Sequence, residues 1–407
     1  MFFTCSPSCS DPSHSHAHFE SYAERSANEF IAGLKESAKK KKVAKKAASS
    51  KSQTKPSKKS DSSKKVIVKN KKGQSKVIDI HCHYLNPTVA AKTEHLEPGK
   101  YDPSIIFAND LTREVNVKQM KDRRPKLIGI EERIKDMDKM GVDIQAVCPA
   151  PFQYFYFTPP ELGASLAREV NEGIASIVSK YPDRFVGMGS VPLQNATMAV
   201  RELEYAVKKL GLRGVEINTN VNGKNLTDPS LGLEKFFAKA EELGIVIFLH
   251  PIGTTQADRY TNHYFNNVIG NPIDTTLALS HLIFDGVMAR HPKLKIVAPH
   301  GGGYLAHYWA RMDHAWRARP DCRTVIKKKP SDYLKKMYFD TITFEPEMIG
   351  NMVAQYGADH VLLGTDYPYD MGEVDPLGLI RSVKQLSKDQ RKQIEGLNAA
   401  KLLKIKL

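Results

Sequence analysis

The 407-residue sequence predicts an α/β fold, a (β/α)8 TIM-type barrel behind a disordered, basic N-terminal tail. Three observations carry that expectation. Eight short runs rich in Val, Ile, Leu and Phe recur from residue 76 onward, as strands buried on both faces require. Helical stretches alternate with them, the pattern of βα units around a parallel sheet. Four of the runs lead into His or Asp side chains, and barrels place their chemistry at the C-terminal ends of their strands.

The tail comes first in the chain. Residues 1–76 hold 18 of the 60 Lys/Arg but only 6 of the 45 Asp/Glu, so the formal charge of +15 belongs mainly to this segment. Residues 38–76 are dominated by Lys, Ser and Ala, including the run Lys39-Lys40-Lys41-Lys42, and carry few large apolar side chains beyond Val66-Ile67-Val68. Such a stretch cannot offset its ordering entropy and is expected to be disordered. Phe19, Tyr22, Phe30 and Leu34 are loosely periodic, as in a short helix. The lysines read as a solvated linker, with a nuclear import signal or a weak polyanion contact as the sharper alternatives. No aromatic residues interleave with them, which argues against base stacking. His14, His16 and His18 near Cys5 and Cys9 match no closed zinc spacing. The domain division is therefore 1–75 tail and 76–407 barrel.

The five cysteines are scattered and odd in number, which fits a reducing compartment rather than a disulfide framework. No run of about 18 apolar residues exists, so no membrane span is expected. Met1-Phe2-Phe3 is too short for a secretory signal, and Glu20, Glu24 and Glu29 count against a transit peptide. The expected location is cytoplasmic, or nuclear through the tail.

In the body, strands are expected at 77–82, 143–149, 185–191, 213–218, 245–250, 294–299, 336–342 and 361–366. Helices are expected at Ile130–Met140, Glu161–Tyr181, Ala196–Gly211 and Leu231–Gly244, with Gly211 and Gly244 at C-cap positions. Residues 84–129 and 251–274 read as long insertions on the face that shapes a pocket.

The site residues follow from the strand ends. His81 and His83 are two apart on the first strand, so both point to one face and can grip one ion, while Cys82 points away. His250 ends the fifth strand and Asp366 the eighth. Three imidazoles and a carboxylate suit one Zn2+ or Mn2+. His300 ends the sixth strand before Gly301-Gly302-Gly303, where backbone can approach a ligand closely. It is either a further metal ligand or an acid/base group. Cys148 reads as core, and His281, His291, His307 and His314 as structural.

Asp79-Ile80-His81-Cys82-His83, Leu249-His250-Pro251, His300-Gly301-Gly302-Gly303 and Gly364-Thr365-Asp366-Tyr367-Pro368 resemble the signatures of the amidohydrolase-2 group of the amidohydrolase superfamily. Gly214-Val215-Glu216-Ile217 and Tyr338-Phe339-Asp340-Thr341 extend the similarity over roughly residues 77–400. The group includes aminocarboxymuconate-semialdehyde decarboxylases and relatives acting on resorcylate, carboxyvanillate and isoorotate. The resemblance implies that His81, His83, His250 and Asp366 hold the metal, with His300 catalytic beside its water. It also implies a homodimer in which Arg311, rather than the neighbouring Arg317 or Arg319, reaches the partner's substrate carboxylate. The intact His-x-His is closer to the muconate-semialdehyde enzymes than to relatives with Glu in its first position. The lysine of a binuclear site is not evident; Glu216 lies in the fourth strand region instead, which favours one metal.

The expected activity is non-oxidative decarboxylation of a small carboxylated aromatic or unsaturated acid, with Asp366, His300 or the metal-bound water supplying the proton. The same ligands would serve a hydrolase of a lactone, amide or ester, or a hydratase, because fold does not decide chemistry. A third expectation, a polyanion-binding tail on a catalytically weak barrel, conflicts with the intact ligand set. No organic cofactor is implied, since His300-Gly301-Gly302-Gly303 lacks dinucleotide-loop spacing.

Overall fold

The structure is a computed structural model that describes residues 75–407. The expectations for the tail, including its disorder, the helix at 19–34 and the His14 cluster, lie outside the described residues.

Eight parallel strands form one sheet in sequence order: β1 (Ile78–Tyr84), β2 (Ile144–Pro149), β3 (Phe185–Gly189), β4 (Gly214–Ile217), β5 (Val246–Leu249), β6 (Lys295–Ala298), β7 (Tyr338–Asp340) and β8 (Val361–Leu362). The sheet closes through the first and last strands. The Ile80 amide donates to Leu363 O at 2.9 Å, Asp366 N to His81 O at 2.8 Å and His83 N to Tyr367 O at 2.8 Å. This is the expected barrel. Its main helices are α1 (Asp110–Ile128), α2 (Ile130–Met140), α3 (Pro160–Lys180), α4 (Ala196–Lys208), α5 (Glu234–Leu243), α6 (Asn271–Phe284), α7 (Ala310–Ala318) and α8 (Pro346–Tyr356).

Helices α3, α4, α5, α6 and α8 each bury an apolar stripe. On α3 the stripe is Leu166, Ala167, Val170, Ile174 and Ile177, at the three- and four-residue spacing of a helix face. Asn195 caps α4, its side chain accepting from the Thr197 and Met198 amides. Gly244 ends α5 at φ 58°, where a Cβ would be strained, and its amide satisfies the Ala240 and Glu241 carbonyls. Gly211 is not the cap of α4, which ends at Lys208; it turns the chain toward β4 at φ 75°.

Inside the barrel, Ile78, Ile80, Ile144, Ala146, Cys148, Val246 and Phe248 pack together over a floor made by Leu402, Leu403 and Ile405. The β1–β2 register slips between Asp79 and Cys82, three residues on β1 spanning two on β2. Such a bulge re-aims side chains. It lets Ile80 pack in the interior while His81, the next residue, meets interior Phe248 at 4.9 Å between ring centroids. Cys82 turns outward into the layer between strands and helices, as expected.

Two segments differ from expectation. The insertion 84–129 is largely helical. Its main element, α1, is polar nearly all round, buries only Arg113 and Leu127 and contains Pro125, so no apolar period announces it. The eighth strand stops at Leu362, and Asp366 lies beyond it in a turn at φ 55°. The second insertion, 251–274, meets the first: Asn109 N donates to Thr261 O at 3.0 Å and Asn266 Nδ2 to Pro103 O at 2.6 Å. Together they wall the mouth above the C-terminal strand ends. Among the described residues no helix is long and apolar enough to cross a membrane.

Candidate active site

Five side chains converge at the C-terminal rim. His81 Nε2 lies 3.1 Å from His83 Nε2 and 3.3 Å from Asp366 Oδ1, and His83 Nε2 lies 3.2 Å from the same oxygen. The His250 ring sits 5.1 Å from His81 and 4.7 Å from His83. His300 Nε2 is 3.7 Å from Asp366 Oδ2, and its ring is 5.3 Å from that of His250. The five side chains share one cluster, in which His81, His250, His300 and Asp366 each bring a donor atom within 4.8 Å of the others, a group that includes His300 and leaves out His83.

The backbone is strained where the chemistry gathers. His300 and Asp366 both adopt the left-handed region, at φ 53° and 55°. Such conformations persist at functional sites only when the surroundings hold them. Asp340 supplies part of that hold, since its Oδ1 accepts from Gly301 N at 2.9 Å while its Oδ2 lies 2.7 Å from His81 Nδ1. Gly302 is needed two residues after His300 because a Cβ would press 2.6 Å from the Phe339 ring.

The donor set fits a divalent metal ion. Both His250 nitrogens, His300 Nδ1 and Asp366 Oδ1 are buried without a hydrogen-bond partner. Buried polar atoms rarely stay unsatisfied, so four in one cluster point to a missing partner. The carboxylates favour positive charge at the cluster, whether a proton on His81 or a metal ion that would have to displace it. Burial opposes charge on His81, but Asp366 and Asp340 outweigh it and push its pKa up to about 10. Burial also opposes charge on Asp366, yet His81, His300 and His83 hold its carboxyl well below the usual range. Burial and the neighbouring imidazoles push His250 well below its ordinary value, keeping it neutral and able to donate a lone pair. His81 and His83 turn their Nε2 atoms inward because Asp340 and Pro149 O take their Nδ1 atoms, the latter at 3.2 Å.

Around this cluster lies a set to which the sequence reading assigned no role. Arg133, buried on α2, donates to His83 O and, at 3.1 Å, to Gln145 Oε1. Asp79 accepts from Thr365 Oγ1 at 2.6 Å and Gln145 Nε2 at 2.9 Å, and burial pushes it up to about 6. Glu216 is fully buried and accepts from the Tyr154 hydroxyl at 2.7 Å. Burial raises its pKa against the pull of His83. Asp340 and Glu216 stood in quoted motifs, and a charged residue inside an otherwise apolar strand was the signal available. Arg133 carried none, because it sits in an ordinary polar stretch of helix.

A cavity opens over the cluster, bounded by His250, His300 and Asp366 below and by residues of both insertions above. Its cationic lining comes from α1. Arg113 is buried and donates to Ile106 O at 3.1 Å, and Arg123 stands 3.3 Å from Asp370. Tyr369 closes one wall, its ring 5.2 Å from His83. Arg311 is exposed on α7 and does not line this cavity within one chain. His281 and His291 pair with Asp285 at 2.8 Å and Glu234 at 2.9 Å, and His307 and His314 are exposed away from the cavity, in keeping with structural roles.

A closed parallel barrel with imidazoles and a carboxylate gathered at its C-terminal rim defines the class, a barrel protein built around a metal-type centre. The chain belongs to the amidohydrolase family, whose model matches residues 78–405. It is 38% identical over 272 residues to the 2-amino-3-carboxymuconate-6-semialdehyde decarboxylase of Dictyostelium discoideum, covering 67% of this chain and 75% of that one. It is 26% identical to a gamma-resorcylate decarboxylase of Polaromonas, covering 71% of this chain and 91% of the relative. Among solved structures, the 5-carboxyvanillate decarboxylase of Sphingomonas paucimobilis superposes with a TM-score of 0.73 at 26% identity, over 82% of this chain and all of that one.

Proposed function

We propose that this chain is a metal-dependent, non-oxidative decarboxylase of a small carboxylated aromatic or unsaturated acid. The observation that supports it is the cluster of unpartnered donor atoms facing a cavity with buried arginine in its wall. His81, His83, His250 and Asp366 would hold the ion, with Zn2+ suited to the imidazole-rich set and Mn2+ the second choice. When bound, the metal would anchor the substrate and stabilise negative charge as CO2 departs.

The protein's own groups do the rest. Arg113 and Arg123 stand in the cavity wall, where either guanidinium would meet a substrate carboxylate, although Asp102, Asp366 and Asp370 line the same cavity. The two insertions shield the reacting bond from bulk water. As the carbon–carboxylate bond breaks, its electron pair stays on the ring or alkene carbon, and a proton must reach that carbon. His300 Nε2 and Asp366 Oδ2, 3.7 Å apart, can hold and pass that proton.

The acting unit is a homodimer in this reading. Arg311 is exposed, as are Tyr304 and Tyr308 a few residues before it, and the resemblance to the family implies that its guanidinium reaches the substrate carboxylate of a second copy. The expected location remains cytoplasmic, with the lysine-rich segment before residue 76 as a candidate nuclear signal.

The test is CO2 release from a panel of carboxylated phenols and muconates, with metal content measured on the same preparation. Stoichiometric CO2 without added nucleotide is expected. A product that keeps its carboxylate and gains water overturns this reading in favour of a hydrolase or hydratase.

A further inference from the structure

Glu216 is a carboxylate sealed inside the barrel, with no exposed surface. Isolated charge there is costly unless it is paired and hydrogen-bonded. Its Oε1 accepts from the Tyr154 hydroxyl at 2.7 Å. Its Oε2 makes no hydrogen bond, and the nearest cationic group is His83, whose Nδ1 lies 3.6 Å away. That Nδ1 also faces Pro149 O at 3.2 Å, so one N–H stands between two acceptors. The other nitrogen of the same ring, Nε2, points into the ligand cluster beside His81 and Asp366. The imidazole thus links the buried carboxylate to the centre.

At longer range the arrangement parallels what Asp340 does for His81: there a carboxylate oxygen lies 2.7 Å from Nδ1, whereas here it stands at ion-pair distance, 3.6 Å, and Pro149 O is the hydrogen-bonded partner. A carboxylate behind a ligating imidazole fixes the ring, sets its tautomer and makes its inner nitrogen a stronger donor. We propose that Glu216, itself oriented by Tyr154, is the positioning residue for His83, so that the site's grip on a divalent ion depends on the Tyr154–Glu216 pair. The inference rests on the metal-site reading above.

The role makes an asymmetric demand. A carboxylate kept only for packing would stabilise the metal-free protein and leave affinity alone. One kept for the ion is a burden in the metal-free protein and an asset in the loaded one. Glu216→Gln preserves the shape and still accepts from Tyr154, while removing the charge. Tyr154→Phe leaves the carboxylate and removes its orienting donor.

The experiment strips the full-length protein with a chelator, then measures Zn2+ and Mn2+ affinity by competition with a chromophoric chelator. Thermal melting is recorded with and without the ion. Glu216→Gln is expected to bind either ion about 10–100-fold more weakly. Its metal-free melting temperature is expected to equal or exceed that of the wild type, so the stabilisation gained on loading shrinks. Tyr154→Phe is expected to weaken affinity in the same direction by a smaller factor. Wild-type affinity in both variants overturns the inference, as does a lower metal-free melting temperature with affinity unchanged. If Glu216→Gln does not fold, wild-type affinity in Tyr154→Phe is enough to overturn it. No uptake of either ion by the wild type would overturn the metal reading itself, and this inference with it.

Discussion

His81 Nδ1 lies 2.7 Å from Asp340 Oδ2, and both side chains are fully buried. The pair fixes the ring so that Nε2 faces Asp366. Through Oδ1, the same carboxylate accepts from Gly301 N at 2.9 Å and Ile342 N at 3.2 Å. One residue on β7 therefore orients a ligand on β1 and pins the turn that carries His300. Asp340→Asn replaces one acceptor by a donor and spoils the match with the His81 N–H. The expected result is about 10–100-fold weaker metal affinity, the usual scale for losing such a support. Affinity equal to that of the wild type in a competition titration contradicts this.

The ligand set makes a stoichiometric claim. Purified protein is expected to hold about one divalent ion per chain, with occupancy falling as the ligands protonate. His81→Ala, His250→Ala and Asp366→Ala are each expected to lower occupancy and turnover together. Elemental analysis alongside the CO2 assay checks it, and full turnover in metal-free protein refutes it.

Asp136 gives a pH prediction away from the centre. Its carboxylate takes the Tyr367 hydroxyl at 3.0 Å, Lys126 Nζ at 3.0 Å and Lys139 Nζ at 2.9 Å, tying α2 to the turn that carries Asp366. Burial works against the charge, but Lys139, Lys126 and Tyr367 together lower its pKa below the ordinary 3.8. A carboxyl depressed in the folded state contributes stability that is fully present above its unfolded pKa and is lost as pH falls through the folded one. Asp136→Asn is therefore expected to cost about 1 kcal/mol near neutrality, because both lysines are largely exposed. That cost should begin to shrink as pH falls below 3.8 and vanish only below the lower, folded pKa. Denaturant midpoints at two pH values decide it, and a cost that persists in acid contradicts the assignment.

Lys76 opens the described part of the chain with an anchor. Its Nζ meets Asp143 Oδ1 at 3.0 Å, and Val77 N donates to Oδ2 of the same carboxylate at 2.9 Å. A truncated protein beginning at Lys76 is expected to fold, load metal and keep its turnover. A large fall in turnover would show that the tail reaches the active site. A changed cellular distribution with turnover intact would place the lysines' role in targeting.

The strands and ligands were legible because strict constraints write them. A strand buried on both faces must read as an apolar run, and a ligand at its end breaks that run visibly, as His250 does after Leu249. The supports were less legible. Gln145 and Arg133 matter only through partners far along the chain, which no local pattern records. Helix α1 escaped because polar sequence with an internal proline has no period to read, although it supplies both cavity arginines. The β1 bulge escaped as well, since a two-residue alternation from Ile80 would have sent His81 outward while keeping His81 and His83 together. The substrate arginine named from the resemblance, Arg311, is exposed, and its role depends on a second copy that one chain's sequence does not describe.

His300 separates chemistry from metal holding. It lies two residues beyond β6 in a left-handed conformation, its Nδ1 is buried without a partner, and its Nε2 stands 3.7 Å from Asp366 Oδ2. If it manages a proton and is not an essential ligand, His300→Ala keeps most of its metal. It nevertheless loses about 10²–10⁴ in turnover, the scale of a positioned acid/base group. The proton it passes is traceable, because decarboxylation in D2O should place one deuterium at the vacated carbon, with residual product of the variant labelled the same way. Metal content, turnover and label are independent readouts. Loss of the ion in His300→Ala would move this histidine into the ligand set. Retained metal with undiminished turnover would remove it from the proton path and leave Asp366 or the metal-bound water to deliver the proton.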